Sequence, residues 1–322
     1  MFLAFLSILV LGLTFAAFNY RIWWCEILDF FRLQLAGTAL LFFMIALIKA
    51  DYFSIALTLT AMAVNIYRIR HFLPHFSPGG VVQRKHVLSI NAWRQHEHPE
   101  ALGSVIRAAN PTVLLISEIS PRLEKQLAPV LNEFPHRLET PLRGRTRSRN
   151  CLFSKAELKE AKISRDKNTG AFLIHAITKI NKQEWQIFTA HPKPGLTRQR
   201  QEARALLFEK IEAIAAASGL PVILMGDFGM VPWADRFRHF LKKAKLQNPL
   251  RKYGYEVTWP VNFPLLGVPM DYILISESEN YRDLHMGPYT GSGHFPVSLK
   301  LEAPQETREK REMELKTSEA VG

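Results

Sequence analysis

Three apolar runs, Phe2 to Phe18, Phe30 to Ile48 and Tyr52 to Ile66, crowd the first 70 residues and carry almost no charge. Each approaches the roughly 20 residues that an α-helix needs to cross a bilayer. Helices buried in a soluble protein seldom come as successive runs this apolar, because one face usually meets water. A secretory signal peptide would explain the first run, but it lacks a basic start and two more apolar runs follow. The reading is an integral membrane protein with an anchor of two or three transmembrane helices over residues 1–70. With three spans, Arg21 and Arg32 share a side with Arg68, Arg70, Arg84 and Lys85, and Lys49 stands alone on the other. Cations collect on the cytoplasmic side of membrane proteins, which puts the large C-terminal part in the cytoplasm. If one run does not span, the parity can change, and the periplasm is then the alternative.

The stretch HFLPHFSPGG, residues 71–80, combines prolines and glycines and ends the apolar region, so residues 71–84 read as a linker. A second domain follows over residues 85–302, and the highly charged residues 303–322 read as a solvated, disordered tail. Within the domain, short β-like runs (HVLSIN, TVLLIS, FLIHAIT, WQIFTAH, PVILMGD, DYILIS, FPVSLKL) alternate with loops and with helix-like stretches such as Arg198 to Ala217. Several runs come in neighbouring pairs with no helix between them. That pattern implies an α/β fold with a mixed or mostly antiparallel core, two packed sheets flanked by helices, rather than a repeated βαβ wheel. Cys25 and Cys151 are too few and too far apart for a disulfide framework or a zinc cluster.

Polar residues recur at the ends of these runs. Asn91 ends HVLSIN, Glu118 follows TVLLIS, His191 ends WQIFTAH, Asp227 ends PVILMGD, Asp271 starts DYILIS and His294 precedes FPVSLKL. Singly, each is an ordinary turn former or helix cap. If the strands pack side by side, their ends converge and the rim holds acid, amide and imidazole groups together.

The segments SINAWR, LISEIS, FTAHPKP, MGDFGMVPW, PMDYILIS and SGHFPV resemble, in order and spacing, the endonuclease/exonuclease/phosphatase superfamily. That superfamily includes pancreatic deoxyribonuclease, abasic-site endonucleases, inositol polyphosphate 5-phosphatases and neutral sphingomyelinases. The resemblance covers about residues 85–301, and the anchored arrangement looks like the bacterial membrane-bound members, hence a bacterial inner membrane. It implies a four-layer α/β sandwich and metal-assisted hydrolysis of a phosphoester. By the same resemblance, Glu118 would bind one Mg²⁺ or Mn²⁺ with support from Asn91, and Asp227 would orient or deprotonate the attacking water. His191 and His294 would bind phosphoryl oxygens, and Asp271 would hold His294. The chain departs from the family at Gly229, usually asparagine, and at Gly293, usually aspartate. Losing one such donor commonly costs about 100- to 1000-fold in rate. Asp235, Asp283 and His285 are candidates to replace the missing groups. The alternative to an altered enzyme is a phosphate-recognition module on the same fold.

The net charge of +12, with RGRTRSR at residues 143–149 and RQR at 198–200, suits either nucleic acid or anionic lipid headgroups. The expected substrate is a lipid-linked or nucleic-acid phosphoester, and the anchor favours the lipid. Trp93, Trp233 and Trp259 lie near the motifs, where core packing is the ordinary role and stacking the functional one. No GxxxxGK loop or dinucleotide glycine pattern is present, so no nucleotide cofactor is expected.

Overall fold

The computed structural model describes residues 1–19, 22–73, 86–93, 98–142, 147–167 and 170–302. Arg21, Arg84, Lys85, most of the 71–84 linker, the first part of RGRTRSR and the 303–322 tail lie outside the described residues.

Two six-stranded sheets form the C-terminal part. The first runs in the order β11 (Tyr281–Met286), β12 (Val297–Leu301), β1 (Val87–Asn91), β2 (Val113–Ile119), β4 (Arg149–Ser154), β3 (His136–Glu139). The second runs β5 (Lys159–Arg165), β6 (Phe172–Ile180), β7 (Gln183–Ala190), β8 (Val222–Asp227), β10 (Asp271–Ser276), β9 (Leu246–Gln247). Among the described residues, pairing is antiparallel except at β1–β2 and β7–β8.

Side-chain alternation along the strands builds the layers. In β2, Val113 and Leu115 join the main core, whereas Leu114 and Ile116 face a second cluster with Leu102, Ile106, Leu123 and Leu127. Those four come from α5 (Pro99–Ala109) and α6 (Pro121–Leu131), which cover the first sheet. The second sheet packs against Leu207, Phe208 and Ile211 of α7 (Arg198–Ser218) and Phe237 and Phe240 of α8 (Asp235–Ala244). The result is a helix–sheet–sheet–helix sandwich. Helix starts follow local chemistry: Ser120 Oγ accepts the Leu123 N–H ahead of α6, and Thr197 Oγ1 accepts the Arg200 N–H ahead of α7.

The first 70 residues form α1 (Phe2–Ala16), α2 (Trp23–Leu28), α3 (Arg32–Ile48) and α4 (Tyr52–Ile69). Two stretches, Trp23–Ile48 and Tyr52–Phe72, are by length and composition apolar enough to cross a membrane, and 28% of the most apolar 18 residues of each is buried. The 15-residue α1 is shorter. Buried Arg32 gathers the ends of these helices. Its Nε donates to Asp29 Oδ1 at 2.8 Å, and its Nη1 donates to Thr14 O at 2.9 Å and Asn65 Oδ1 at 3.1 Å.

This helical part docks on the sandwich. Ile69 and Phe72 belong to the main core, and the Phe72 ring meets Trp233 edge-on at 5.7 Å. Trp233 Nε1 donates to Asp29 O at 2.7 Å, Gln201 Nε2 donates to Trp23 O at 2.8 Å, and Arg68 pairs with Asp235. Glu26 pairs with buried Arg204. A buried guanidinium stripped of its carboxylate costs about 3–5 kcal/mol. Glu26→Ala is therefore expected to destabilise the full chain by about that much in detergent melts. Glu202→Ala, which breaks the exposed Arg198–Glu202 pair, is expected to leave the melt unchanged.

Candidate active site

The central strands β1 and β12 lie against β8 and β10 of the opposite sheet. Asn91 ends β1, Asp227 ends β8, and Asp271 opens β10 in register with Asp227. His294 stands in the loop before β12, His191 directly after β7, and Glu118 near the end of β2. All six residues meet at one rim.

Their side chains form a continuous chain. Glu118 Oε1 lies 3.5 Å from His191 Nε2, which lies 4.0 Å from Asp227 Oδ2. Asn91 Nδ2 is 3.4 Å from Asp227 Oδ2 and 3.4 Å from His294 Nε2. His294 Nδ1 donates to Asp271 Oδ2 at 2.9 Å. Burial works against the imidazolium of His294, but Asp271, through its charge and this hydrogen bond, then Asp227 and Glu118 outweigh it and raise the group to about 9. Burial, then the neighbouring Asp271 charge, raises Asp227 above the usual carboxylate range, opposed by His191, His294 and the Gly229 N–H.

Backbone detail holds these groups in place. A Cβ on Gly226 would fall 2.0 Å from Ala190 O, so this glycine lets β8 approach the end of β7 and sets Asp227 beside His191. Asp227 Oδ1 accepts the Gly229 N–H at 2.8 Å, and Gly229 has a left-handed φ of +58°. Glu118 is also left-handed, φ +55°, with its N–H donating to Asn150 Oδ1 at 3.1 Å. A non-glycine residue held there reads as a strained, over-determined position of the kind found at functional sites. Thr258 Oγ1 accepts the N–H groups of Met270 and Asp271 at 2.8 and 3.0 Å. Ser292 Oγ donates to Asn91 O at 2.6 Å and accepts the His294 N–H at 3.1 Å. Sequence reasoning missed Asn150, Thr258, Ser292 and Arg204, whose Nη1 donates to Gly229 O at 3.0 Å; only Ser292, inside SGHFPV, carried a signal that could have found it.

Gly293 is covered by Trp93, whose ring carbon would lie 2.7 Å from a Cβ there. Trp93 itself is left-handed, φ +33°, and its N–H donates to Asn91 Oδ1 at 3.1 Å. At Gly229 a Cβ would meet Pro194 Cα at 3.0 Å. Both glycines face space that neighbours already fill. Trp259, 37% exposed, stands with its ring 6.3 Å from that of His294, while Trp233 is buried in the core. Asp235 is engaged with Arg68 at the start of α8, and Asp283 and His285 lie on β11, the edge strand of the first sheet.

The donor chemistry suits a hard divalent cation, which prefers oxygen ligands. Glu118, Asp227 and Asp271 bring carboxylate oxygens to the rim, Asn91 turns its Nδ2 toward Asp227 and His294 while its Oδ1 accepts the Trp93 N–H, and Asp227, Asp271 and His294 each offer an atom within 4.8 Å of the others. In that trio the His294–Asp271 hydrogen bond already uses one donor pair, Asn91 bridges Asp227 and His294, and Glu118 approaches Asp227 from the side of His191.

The sandwich, with acids, an amide and imidazoles on one rim, coincides with the part of the sequence that a family model matches. The chain belongs to the Endonuclease/Exonuclease/phosphatase family, whose model matches residues 88–293. The human nocturnin catalytic domain, solved with a bound sulfate anion, is similar at 17% identity and a TM-score of 0.55, covering 68% of this chain and 95% of its own. A Bacteroides thetaiotaomicron mannosyl-6-phosphatase is similar at 16% and 0.53, covering 67% and 98%. D. rerio TDP2, solved with a single-strand DNA product, is similar at 13% and 0.52, covering 66% and 96%. At these identities the likeness is one of fold. No curated protein matches the sequence significantly.

Adding an aspartate beneath Trp93 overfills the site. Gly293→Asp is expected to cost about 1–3 kcal/mol in a melt, and Trp93→Ala in the same chain to restore most of it. An unchanged melt for Gly293→Asp alone would contradict the packing described.

Proposed function

We propose that the chain is a membrane-anchored phosphoesterase that hydrolyses a phosphodiester or phosphomonoester with water, assisted by Mg²⁺ or Mn²⁺. The meeting of Asn91, Glu118, His191, Asp227, Asp271 and His294 within 4.0 Å links carries this reading. A bound cation supplies positive charge against the phosphate's own, which lets a nucleophile approach. Glu118, with Asn91, would hold it. Asp227 orients the attacking water and takes its proton, a task suited to a carboxylate whose basicity burial has raised. His294, kept as imidazolium by Asp271, donates to a phosphoryl oxygen as charge builds there. His191 binds a second oxygen from the side of Glu118.

A second reading has its own observation. Gly229 and Gly293 supply none of the polar groups usual at those positions in the family, and Trp93 and Pro194 occupy the space. On that reading the site is altered and the chain recognises a phosphate without hydrolysing it quickly. Turnover of bis-(p-nitrophenyl) phosphate by the detergent-solubilised full chain separates the two. Hydrolysis is expected, abolished by EDTA, restored by Mn²⁺, and lowered about 100- to 1000-fold in Asp227→Ala. No turnover, with phosphate binding that survives Asp227→Ala but weakens in His191→Ala, would favour recognition.

For the substrate, the similar proteins include one solved with single-strand DNA and one named for a sugar phosphate, so fold alone does not choose. The segment Trp259 to Gly267 favours a lipid-linked ester. Its base is tied to the site, with the Val261 N–H donating to Gly293 O at 3.1 Å. Its tip exposes Phe263, Leu265 and Leu266, at 65%, 88% and 49%, and Leu265 O accepts from Gln34 in the first turn of α3. With α3 as a span, that apolar tip reaches the headgroup layer beside the site, and the positive-inside count puts the domain on the cytoplasmic face. The combined variant Phe263→Ser/Leu265→Ser/Leu266→Ser is expected to spare hydrolysis of the soluble ester and to lower hydrolysis of phospholipid in vesicles about tenfold. Equal losses on both substrates would contradict the loop's role.

A further inference from the structure

Away from the catalytic rim, a cavity of about 640 Å³ opens where α4 meets the sandwich. Its wall carries Arg68, Arg70, Arg238, Lys242, Arg251 and Lys252, against the single carboxylate of Glu277. Asp235 offsets part of this charge, pairing with Arg68 and lying 3.8 Å from Arg238. Among the described residues, Arg70, Lys242, Arg251 and Lys252 make no ion pair, so cations from three separate elements face one space without anions to match. Charges of one sign held together repel, and an arrangement of this kind is relieved by a bound anion.

A second feature says which anion. A trough of about 400 Å³ runs between α1 and α4, lined by Phe15, Phe18, Val64 and Tyr67, and it shares Arg68, Arg70 and Arg238 with the cavity. The Arg68 guanidinium lies over the Phe18 ring at 5.0 Å, at the junction of the apolar and cationic parts. An apolar channel along a spanning helix that ends in a basic pocket matches a molecule with a hydrocarbon chain and an anionic head. A soluble phosphate would use the pocket and leave the trough unused.

We propose that an anionic phospholipid of the surrounding bilayer binds here, its phosphate on the cations of Arg70, Arg238, Lys242, Arg251 and Lys252 and an acyl chain in the trough between α1 and α4. The site is distinct from the catalytic rim: its wall includes Gln247, which pairs with Ile275, and Glu277, just past the end of β10 opposite Asp271. A lipid held there pins α8 and the 3₁₀ turn Pro249–Lys252 to the membrane surface. The inference rests on the membrane placement proposed above and is independent of hydrolysis.

The test is native mass spectrometry of the detergent-solubilised full chain with dioleoylphosphatidylglycerol or dioleoylphosphatidylcholine. Phosphatidylglycerol is expected to be retained about tenfold better than phosphatidylcholine. Lys242→Ala/Arg251→Ala/Lys252→Ala, all exposed positions, is expected to remove that preference with an unchanged melt. Arg198→Ala/Arg200→Ala, equally exposed and outside the pocket, is expected to keep it. Phe18→Ser/Tyr67→Ser is expected to weaken the lipid while leaving binding of free glycerol 3-phosphate unchanged. Equal retention of both lipids, or a preference untouched by the triple alanine variant, would overturn the proposal. So would glycerol 3-phosphate or a single-strand oligonucleotide competing as well as the lipid. Extraction of the chain from membranes by alkaline carbonate would remove the anchoring reading itself, whereas a chain that stays embedded without a lipid preference overturns the pocket alone.

Discussion

A buried guanidinium joins the two halves of this molecule. Arg204, on α7, pairs with Glu26 in the N-terminal helices and donates from Nη1 to Gly229 O at 3.0 Å. The N–H of the same glycine holds Asp227 Oδ1. The carboxylate at the centre of the rim is thus connected to the helical N-terminal part through one arginine and one residue of turn. Burying a charge this completely is tolerable because both its partners are in place, and losing either leaves a polar group with no water to turn to. The orientation of Asp227 therefore depends on residues some 200 positions away in sequence, and the helical part belongs to the structure of the site as much as to its proposed location.

The two facing sheets supply the rest of the geometry. Parallel pairing of β7 with β8 and antiparallel pairing of β8 with β10 bring His191, Asp227 and Asp271 to one edge, and the β1–β12 pair does the same for Asn91 and His294. Close approach at Gly226 and the left-handed Glu118 are local costs that this convergence carries. Trp93 belongs to the same compromise. Its turn is held by Asn91, and its ring fills the space over Gly293, so the glycine and the tryptophan act as one unit in shaping the site.

The interior of the fold was legible in sequence and its margins were not. The seven runs read as strands correspond to β1, β2, β6, β7, β8, β10 and β12, which lie inside the sheets and show the apolar patterning that burial demands. The strands that escaped notice include every sheet edge: β3, β5, β9 and β11. Sequences such as HRLE, KEAKISR and YRDLHM mix charge into the strand because an edge faces solvent and must not recruit another chain. β4 lies beside one of those edges. The same logic separates the rim from its supports. Asn91, Glu118, His191, Asp227, Asp271 and His294 stood out as polar residues at the ends of apolar runs. Asn150, Thr258 and Arg204 act through contacts distant in sequence, which no local pattern announces. The packing of Phe72 and Ile69 into the sandwich core was likewise invisible from the proline-rich boundary that follows them.

On the proposed reading, Glu118 and the groups around Asp227 hold a divalent cation. The most direct measurement is an electron paramagnetic resonance titration of Mn²⁺ into the detergent-solubilised full chain. The account predicts a protein-bound Mn²⁺ signal that Mg²⁺ displaces and that disappears in Glu118→Ala while its melting curve stays that of the parent. Free-ion spectra throughout, or a bound signal that Glu118→Ala leaves intact, would contradict it.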